Sequence, residues 1–123
     1  MPWIYHQSTG KLYHDDKLVD AHCYSGKGQW KNRPEAQSMK NRDPIPQGRY
    51  TIGAPRLERG PHGPYVIPLR PDPNNHMYGR SAFLIHGDKV GAPGTASEGC
   101  IIAKISTRHE IVDSGDHVLE VRP

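Results

Sequence analysis

The chain has a single phenylalanine, two cysteines and no apolar run long enough to cross a membrane. With one core-sized set of apolar residues in 123 positions, it is expected to form one domain rather than two. Two cysteines, Cys23 and Cys100, exclude a disulfide-dense scaffold. They leave three options open: one bridge, two inert thiols, or a structural and a reactive thiol. Cys-x-x-Cys and His-x-x-x-His spacings are also missing. The eight histidines therefore supply no zinc framework, and no metal and no cofactor are expected. No block of Lys and Arg resembles a nucleic-acid arm, so the formal net charge of +3 reads as scattered surface charge and nucleic acid is not an expected partner. Met1 to His6 lacks the basic-then-apolar order of a secretory signal, so the chain is expected to be made in the cytoplasm without a signal peptide.

What is plentiful is turn chemistry. Gly 13 and Pro 12, against only 34% hydrophobic residues, point away from a helical bundle. Six tyrosines, two tryptophans and the low net charge argue against disorder. The expectation is a mainly β, single-domain fold, a sandwich or mixed sheet with one or two short helices. Trp3 to Gln7 and Lys11 to His14 read as a hairpin around Ser8-Thr9-Gly10. Lys17 to Tyr24 continues the meander. Pro34 to Lys40 suits a helical turn opened by its proline. Further strands are expected at Arg49 to Ile52, Tyr65 to Leu69, Ser81 to Ile85 (central) and His117 to Val121, where Val118 and Val121 do not share a face. Thr107-Arg108-His109-Glu110 fits a capping box for a short helix that stops at Gly115.

The chemistry-bearing stretch is Ser81 to Ile102. An apolar run, Ala82 to Ile85, ends on His86-Gly87, and Cys100 follows fourteen residues after His86, behind Ser97-Glu98-Gly99. A thiol becomes a useful nucleophile beside a base, and a histidine at the end of a buried strand is held rigidly enough to be that base. Gly99 can adopt angles closed to other residues, which would let the N–H groups of Gly99 and Cys100 converge on one oxyanion. The plainer alternative is a small buried thiol and a satisfied core histidine.

His86-Gly87 followed by Ser97-x-Gly99-Cys100-Ile101 resembles the active-site signature of the YkuD-like L,D-transpeptidases. Pro44-Ile45-Pro46-Gln47-Gly48-Arg49-Tyr50 resembles that family's upstream proline-glycine-aromatic segment. Tyr24-Ser25-Gly26, Pro44 to Gly48, Gly79 to Gly87 and Ser97 to Cys100 together are most similar to its small type VI secretion effectors, over nearly the whole chain. Glu98 stands where many relatives carry a second histidine, and Ile102 where they often carry Asn or Arg.

The resemblance implies a cysteine enzyme acting on peptidoglycan stem peptides and D-amino acids. Cys100 is then the nucleophile and His86 the base, with Ser97, Gly99 and Gly87 shaping the catalytic loop and Arg80, Ser81, Glu98, Tyr24 and Ser25 on the binding side. It also implies a cognate immunity protein and a secretion apparatus as partners, a monomer, and action in the target-cell periplasm. Several roles stay open. Ser97 either orients the loop or tolerates a tight turn, Arg80 meets a carboxylate or is an ordinary surface arginine, and Glu98 is a surface residue or meets substrate ammonium groups. Tyr24 and Trp30 line a groove or pack in the core, and Cys23 reads as a small buried residue. The rivals are a housekeeping or phage cell-wall enzyme, an ordinary cysteine peptidase, and a noncatalytic peptidoglycan-binding module with a structural Cys100.

Overall fold

A computed structural model describes residues 2–36, 44–58, 60–89, 91, 94, 96–97 and 99–123, with Trp30 in its backbone alone. Nine strands form one sheet: β1 (Trp3–His6), β2 (Leu12–His14), β3 (Lys17–Asp20), β4 (Tyr24–Ser25), β5 (Gly48–Ile52), β6 (Ile67–Pro71), β7 (Phe83–His86), β8 (Ile101–Ile102) and β9 (Val118–Arg122). A single α-helix, α1 (Ile105–Asp113), and two 3₁₀ turns, Gly28–Trp30 and Pro34–Ala36, complete the regular structure among the described residues. The mainly β expectation holds. Among the described residues no helix is long and apolar enough to cross a membrane.

The strand order is β3-β2-β1-β9-β5-β6-β7-β8-β4. β1 runs parallel to β9 and β7 parallel to β8, while the other pairs are antiparallel, so the sheet is mixed. β3 and β4 are the two outermost strands, yet only residues 21–23 separate them in sequence. A linker that short spans at most about 14 Å, so the sheet must curl until its edges approach. The curl encloses Trp3, Tyr5, Leu12, Ile45, Tyr50, Ile67, Ile85, Ile101, Ile111 and Leu119, each at most 1% exposed. Alternation does the sorting: Trp3 and Tyr5 of β1 point inward, as do Leu119 and Val121 of β9.

The Trp3-to-His14 hairpin forms as expected, with Trp3 opposite His14 and Tyr5 opposite Leu12. Gly10 is obligatory in its turn: φ is +72°, and a Cβ there would sit 1.9 Å from the Cys23 carbonyl oxygen. The meander continues past the hairpin as expected, as β3, and the chain then breaks before β4. Asp20 causes the break, because its carboxylate accepts from the His22 N–H at 2.8 Å and from the Thr107 hydroxyl at 2.7 Å, turning the chain across the end of the sheet. The same contact overturns the capping box. Thr107 is 2% exposed and its hydroxyl is engaged by Asp20, so α1 begins three residues earlier, with Lys104 at the N-cap and no side-chain cap. Gly115, at φ +75°, follows the C-cap Ser114 and stops the helix as expected.

Two strands start later than expected, β6 at Ile67 and β7 at Phe83. β7 remains interior, between β6 and β8. β9 is shifted by one residue, and its inward pair is Leu119 and Val121. The proline-opened turn survives as Pro34–Ala36, and the rest of that expected helix, residues 37–40, lies outside the described residues.

Candidate active site

His86 is the last residue of β7 and is 2% exposed. Its partner across the parallel ladder is Ile102, and its carbonyl accepts from the Ala103 N–H at 3.0 Å, which locks the strand end. Ile85 faces Ile101 in the core. Cys100 immediately precedes β8, in the bend that leads into it. The imidazole thus ends β7, and the half-buried thiol belongs to the residue that leads into the adjacent β8.

The His86 ring is oriented through Nδ1, which lies 2.8 Å from the Gly87 carbonyl oxygen. A carbonyl only accepts, so Nδ1 carries the proton and Nε2 keeps the lone pair. Nε2 is buried and has no hydrogen-bond partner. Burial depresses the His86 pKa below its ordinary value; the Gly87 carbonyl opposes this, the neighbouring His62 and Arg108 add to it, and Asp88 opposes it. A buried, unpartnered basic nitrogen is an uncommon feature in a folded chain and marks a place where a proton can be received.

Around this end of the sheet a cleft of about 190 Å³ is lined by Pro61, His62, Gly63, His86, Gly87, Asp88, Lys89 and Ala96. Arg108 of α1 supports it from behind. The guanidinium is 6% exposed and donates through one nitrogen to the carbonyls of Pro64 and Tyr65, both at 3.0 Å. A Cβ on Gly87 would fall 2.9 Å from its other terminal nitrogen, so the guanidinium would have to shift to admit a side chain at position 87. Asp88 anchors the loop that follows. Its carboxylate accepts from the Tyr24 hydroxyl at 2.6 Å and from the Lys89 and Gly94 N–H groups, and Tyr24 in turn accepts from Ala96 at 3.0 Å. Burial pulls the Asp88 pKa upward, but these donors outweigh it and hold the carboxylate below its usual range.

The loop leading to Cys100 is held by two buried serines. Ser97, 0% exposed, accepts at its hydroxyl from Gly26 at 2.9 Å and from Gly99 at 3.1 Å and donates to the Cys100 carbonyl. Ser25, also 0% exposed, donates to the Gly99 carbonyl at 3.0 Å and accepts from Ile45 at 2.8 Å. Gly99 has the φ of +131° that only glycine tolerates comfortably. Its N–H, however, is committed to Ser97, so the expectation that this donor faces an oxyanion is corrected: it closes the loop. Ser25→Ala leaves a buried carbonyl and a buried N–H each short of a partner and is expected to cost about 1–3 kcal/mol, read as a lowered urea midpoint with an unchanged slope.

The binding-side residues scatter. Tyr24 is buried in the Asp88 network, and Lys31 lies 5.0 Å from its ring centre. Ser25 is sealed inside the loop and presents nothing to solvent. Both readings open for Arg80 take it to be accessible, yet it is 7% exposed, donates to the Pro44 carbonyl at 2.8 Å and lies 5.1 Å from the Phe83 ring centre. It fastens the Pro-Ile-Pro segment to β7. Ser81 is exposed but precedes β7, on the order of 15 Å along the chain from His86 by strand rise. Glu98 lies outside the described residues, as does the Trp30 side chain. Cys23 is buried, and burial followed by the nearby Asp20 carboxylate pushes its thiol pKa strongly upward, which suits an inert residue.

Three site residues carried no motif signal: His62, Asp88 and Arg108. Gly60-Pro61-His62-Gly63 is readable as a turn, but not where that turn points. A second cleft, of about 270 Å³, lies by the N-terminal hairpin and includes His6, His14, Asp15 and Asp16. There His14 stacks on Trp3 at 4.2 Å, with Asp116 at Nε2 and Asp15 on the Nδ1 side at 3.7 Å. Donor atoms of His14, Asp15 and Asp116 lie within 4.8 Å of one another. The two carboxylates approach opposite nitrogens of one ring, which is the geometry of a bracketed imidazole rather than of ligands converging on one ion.

Among comparisons with known proteins, no curated protein matches the chain. The Tlde1 domain family model matches residues 19–120, from β3 through most of β9, and leaves out the β1–β2 hairpin that completes the sheet. That family is one of type VI secretion effectors of L,D-transpeptidase type, secreted into target cells and directed at peptidoglycan. With the match running over both the His86-Gly87 and the Ser97-to-Cys100 segments, the chain belongs to the Tlde1 domain family.

Proposed function

We propose that residues 1–123 act as one L,D-transpeptidase-like catalytic domain that removes the terminal D-alanine from peptidoglycan tetrapeptide stems, by hydrolysis or by exchange for another D-amino acid. Cys100 is the nucleophile and His86 the base. The observation that carries this reading is the state of the imidazole: Nδ1 bonded to the Gly87 carbonyl, Nε2 buried and unpartnered, at the strand end next to the one that Cys100 precedes.

The depressed pKa favours a neutral resting imidazole, ready to take a proton. As the Cys100 sulfur bonds to the carbonyl carbon on the L-centre of the third stem residue, its proton passes to His86 Nε2 and the carbonyl electrons move onto oxygen. Collapse of that oxyanion breaks the C–N bond to D-alanine, whose nitrogen takes the proton back from His86. A thioester on Cys100 remains. Water then gives the shortened stem, and the amine of a D-amino acid gives an exchanged one, with His86 accepting the proton of either. Loss of ordinary stems deprives cross-linking of its donors, which fits an antibacterial effector.

Purified protein mixed with disaccharide tetrapeptide is expected to yield free D-alanine and the tripeptide species by mass. In bacteria, location should govern harm, because the bond lies beyond the inner membrane. A periplasm-directed form should slow growth and deplete tetrapeptides, a cytoplasmic form should not, and Cys100→Ala should silence the first. Toxicity confined to the cytoplasmic form, or untouched by Cys100→Ala, would sink the reading.

A further inference from the structure

The geometry points to His62 as a positioning residue for the base: stacked on His86 from the tip of a tight turn, it shields the imidazole and keeps Nε2 aimed and neutral. This rests on the proposal that His86 is the base. The ring centres are 4.4 Å apart with planes at 30°. His62 is exposed on its outer side, so it contributes nothing to the core, and its ring contact falls on the one imidazole with an unpartnered buried nitrogen.

The turn is built to present that ring. Gly60 and Gly63 exchange backbone hydrogen bonds, at 3.3 and 3.0 Å, and leave Pro61 and His62 as the two tip residues. Proline fixes the first tip position without needing an N–H, and Gly63 adopts φ +84° to return the chain. Below the tip, Arg56 and Val66 pair across the arm, and Arg108 holds its base through the Pro64 and Tyr65 carbonyls. The same guanidinium packs against Gly87. One buried arginine therefore references both the arm that carries His62 and the turn that follows His86, which fixes the spacing of the two rings.

The charged and titratable groups around His86 are His62 from the arm, Arg108 from α1, and Asp88 and Lys89 from its own loop. Removing His62 takes away a shield against water and, when it is protonated, a like charge. Both changes favour protonation of His86, so the loss of rate should concentrate at low pH.

The test is D-alanine release from disaccharide tetrapeptide between pH 5 and 8 for the wild type, His62→Ala and His62→Phe, with 15N NMR titration of the His86 ring in each. In His62→Ala, kcat/KM is expected to fall several-fold at pH 5 and to recover to within about twofold at pH 8. The His86 titration should move upward. His62→Phe keeps the stack and should restore at least half of the loss. A His62→Ala profile and titration equal to those of the wild type would overturn the inference, as would a loss uniform in pH that His62→Phe does not repair. If the wild type itself releases no D-alanine, the catalytic reading fails, and the titration shift still decides whether His62 governs His86.

Discussion

Cys100→Ala is expected to reduce D-alanine release by on the order of 10⁴-fold or more, because without the sulfur no thioester forms and the two easy steps revert to one difficult one. The fold should survive. Cys100 is half-buried and the loop around it is fastened by Ser25 and Ser97, so stability should stay within about 1 kcal/mol of the wild type. Turnover and a urea unfolding curve on the same preparation separate lost chemistry from lost structure. Residual tetrapeptide cleavage at more than a trace would remove Cys100 from the mechanism.

His86→Ala is the second large effect, with a fall of about 10²- to 10⁴-fold expected from loss of the base. His86→Gln, which fills more of the buried site, should fall as far and so exclude a packing explanation. In the wild type the rate should decline as pH drops through the His86 pKa, and burial, helped by His62 and Arg108, sets that decline below the ordinary imidazole value of 6.5. The neutral base thus persists into mildly acidic medium, and the acid limb should vanish in His86→Gln. Thiol alkylation near neutral pH gives an independent reading. Cys100 should label faster than buried Cys23 in the wild type, and more slowly than in the wild type once His86 is gone. Equal labelling rates with and without His86 would leave the imidazole a structural role.

The elements legible in the sequence are those with a local cause. The first hairpin follows from alternation around a glycine turn, β5 from the release of a Pro-Ile-Pro segment at Gly48, and the end of β7 from an apolar run stopping at His86-Gly87. What sequence pattern missed has distant causes. Nothing between Lys17 and Tyr24 announces a break, because the break is made by Asp20 reaching Thr107, 87 positions away. That one hydrogen bond also removed the expected N-cap, since the threonine hydroxyl serves one partner and not the other.

The candidate site divides in the same way. His86, Gly87, Ser97, Gly99 and Cys100 stand out as candidates because a histidine ending an apolar run and a cysteine behind a serine-glycine turn are local patterns, and the structure sets the first at the end of β7 and the second just before the neighbouring β8. Arg80 and Ser25 are misread as accessible because a polar residue in a motif looks the same whether it meets a substrate or a buried carbonyl. Only burial, and the bonds to Pro44 and Gly99, distinguish the two. His62 and Arg108 leave no trace in the pattern, since the first acts through a ring 24 positions away and the second through carbonyls more than 40 positions away.

The most direct measurement is capture of the acyl-enzyme. Protein mixed with disaccharide tetrapeptide, quenched in acid within the first turnover and digested, should contain a peptide bearing Cys100 that is heavier by the tripeptide muropeptide less one water, with at least an equal amount of free D-alanine released. Such an adduct on Cys100, gone in Cys100→Ala and scarce in His86→Gln, is the predicted result. Release of D-alanine with no adduct on Cys100, or an adduct on another residue, would contradict the account.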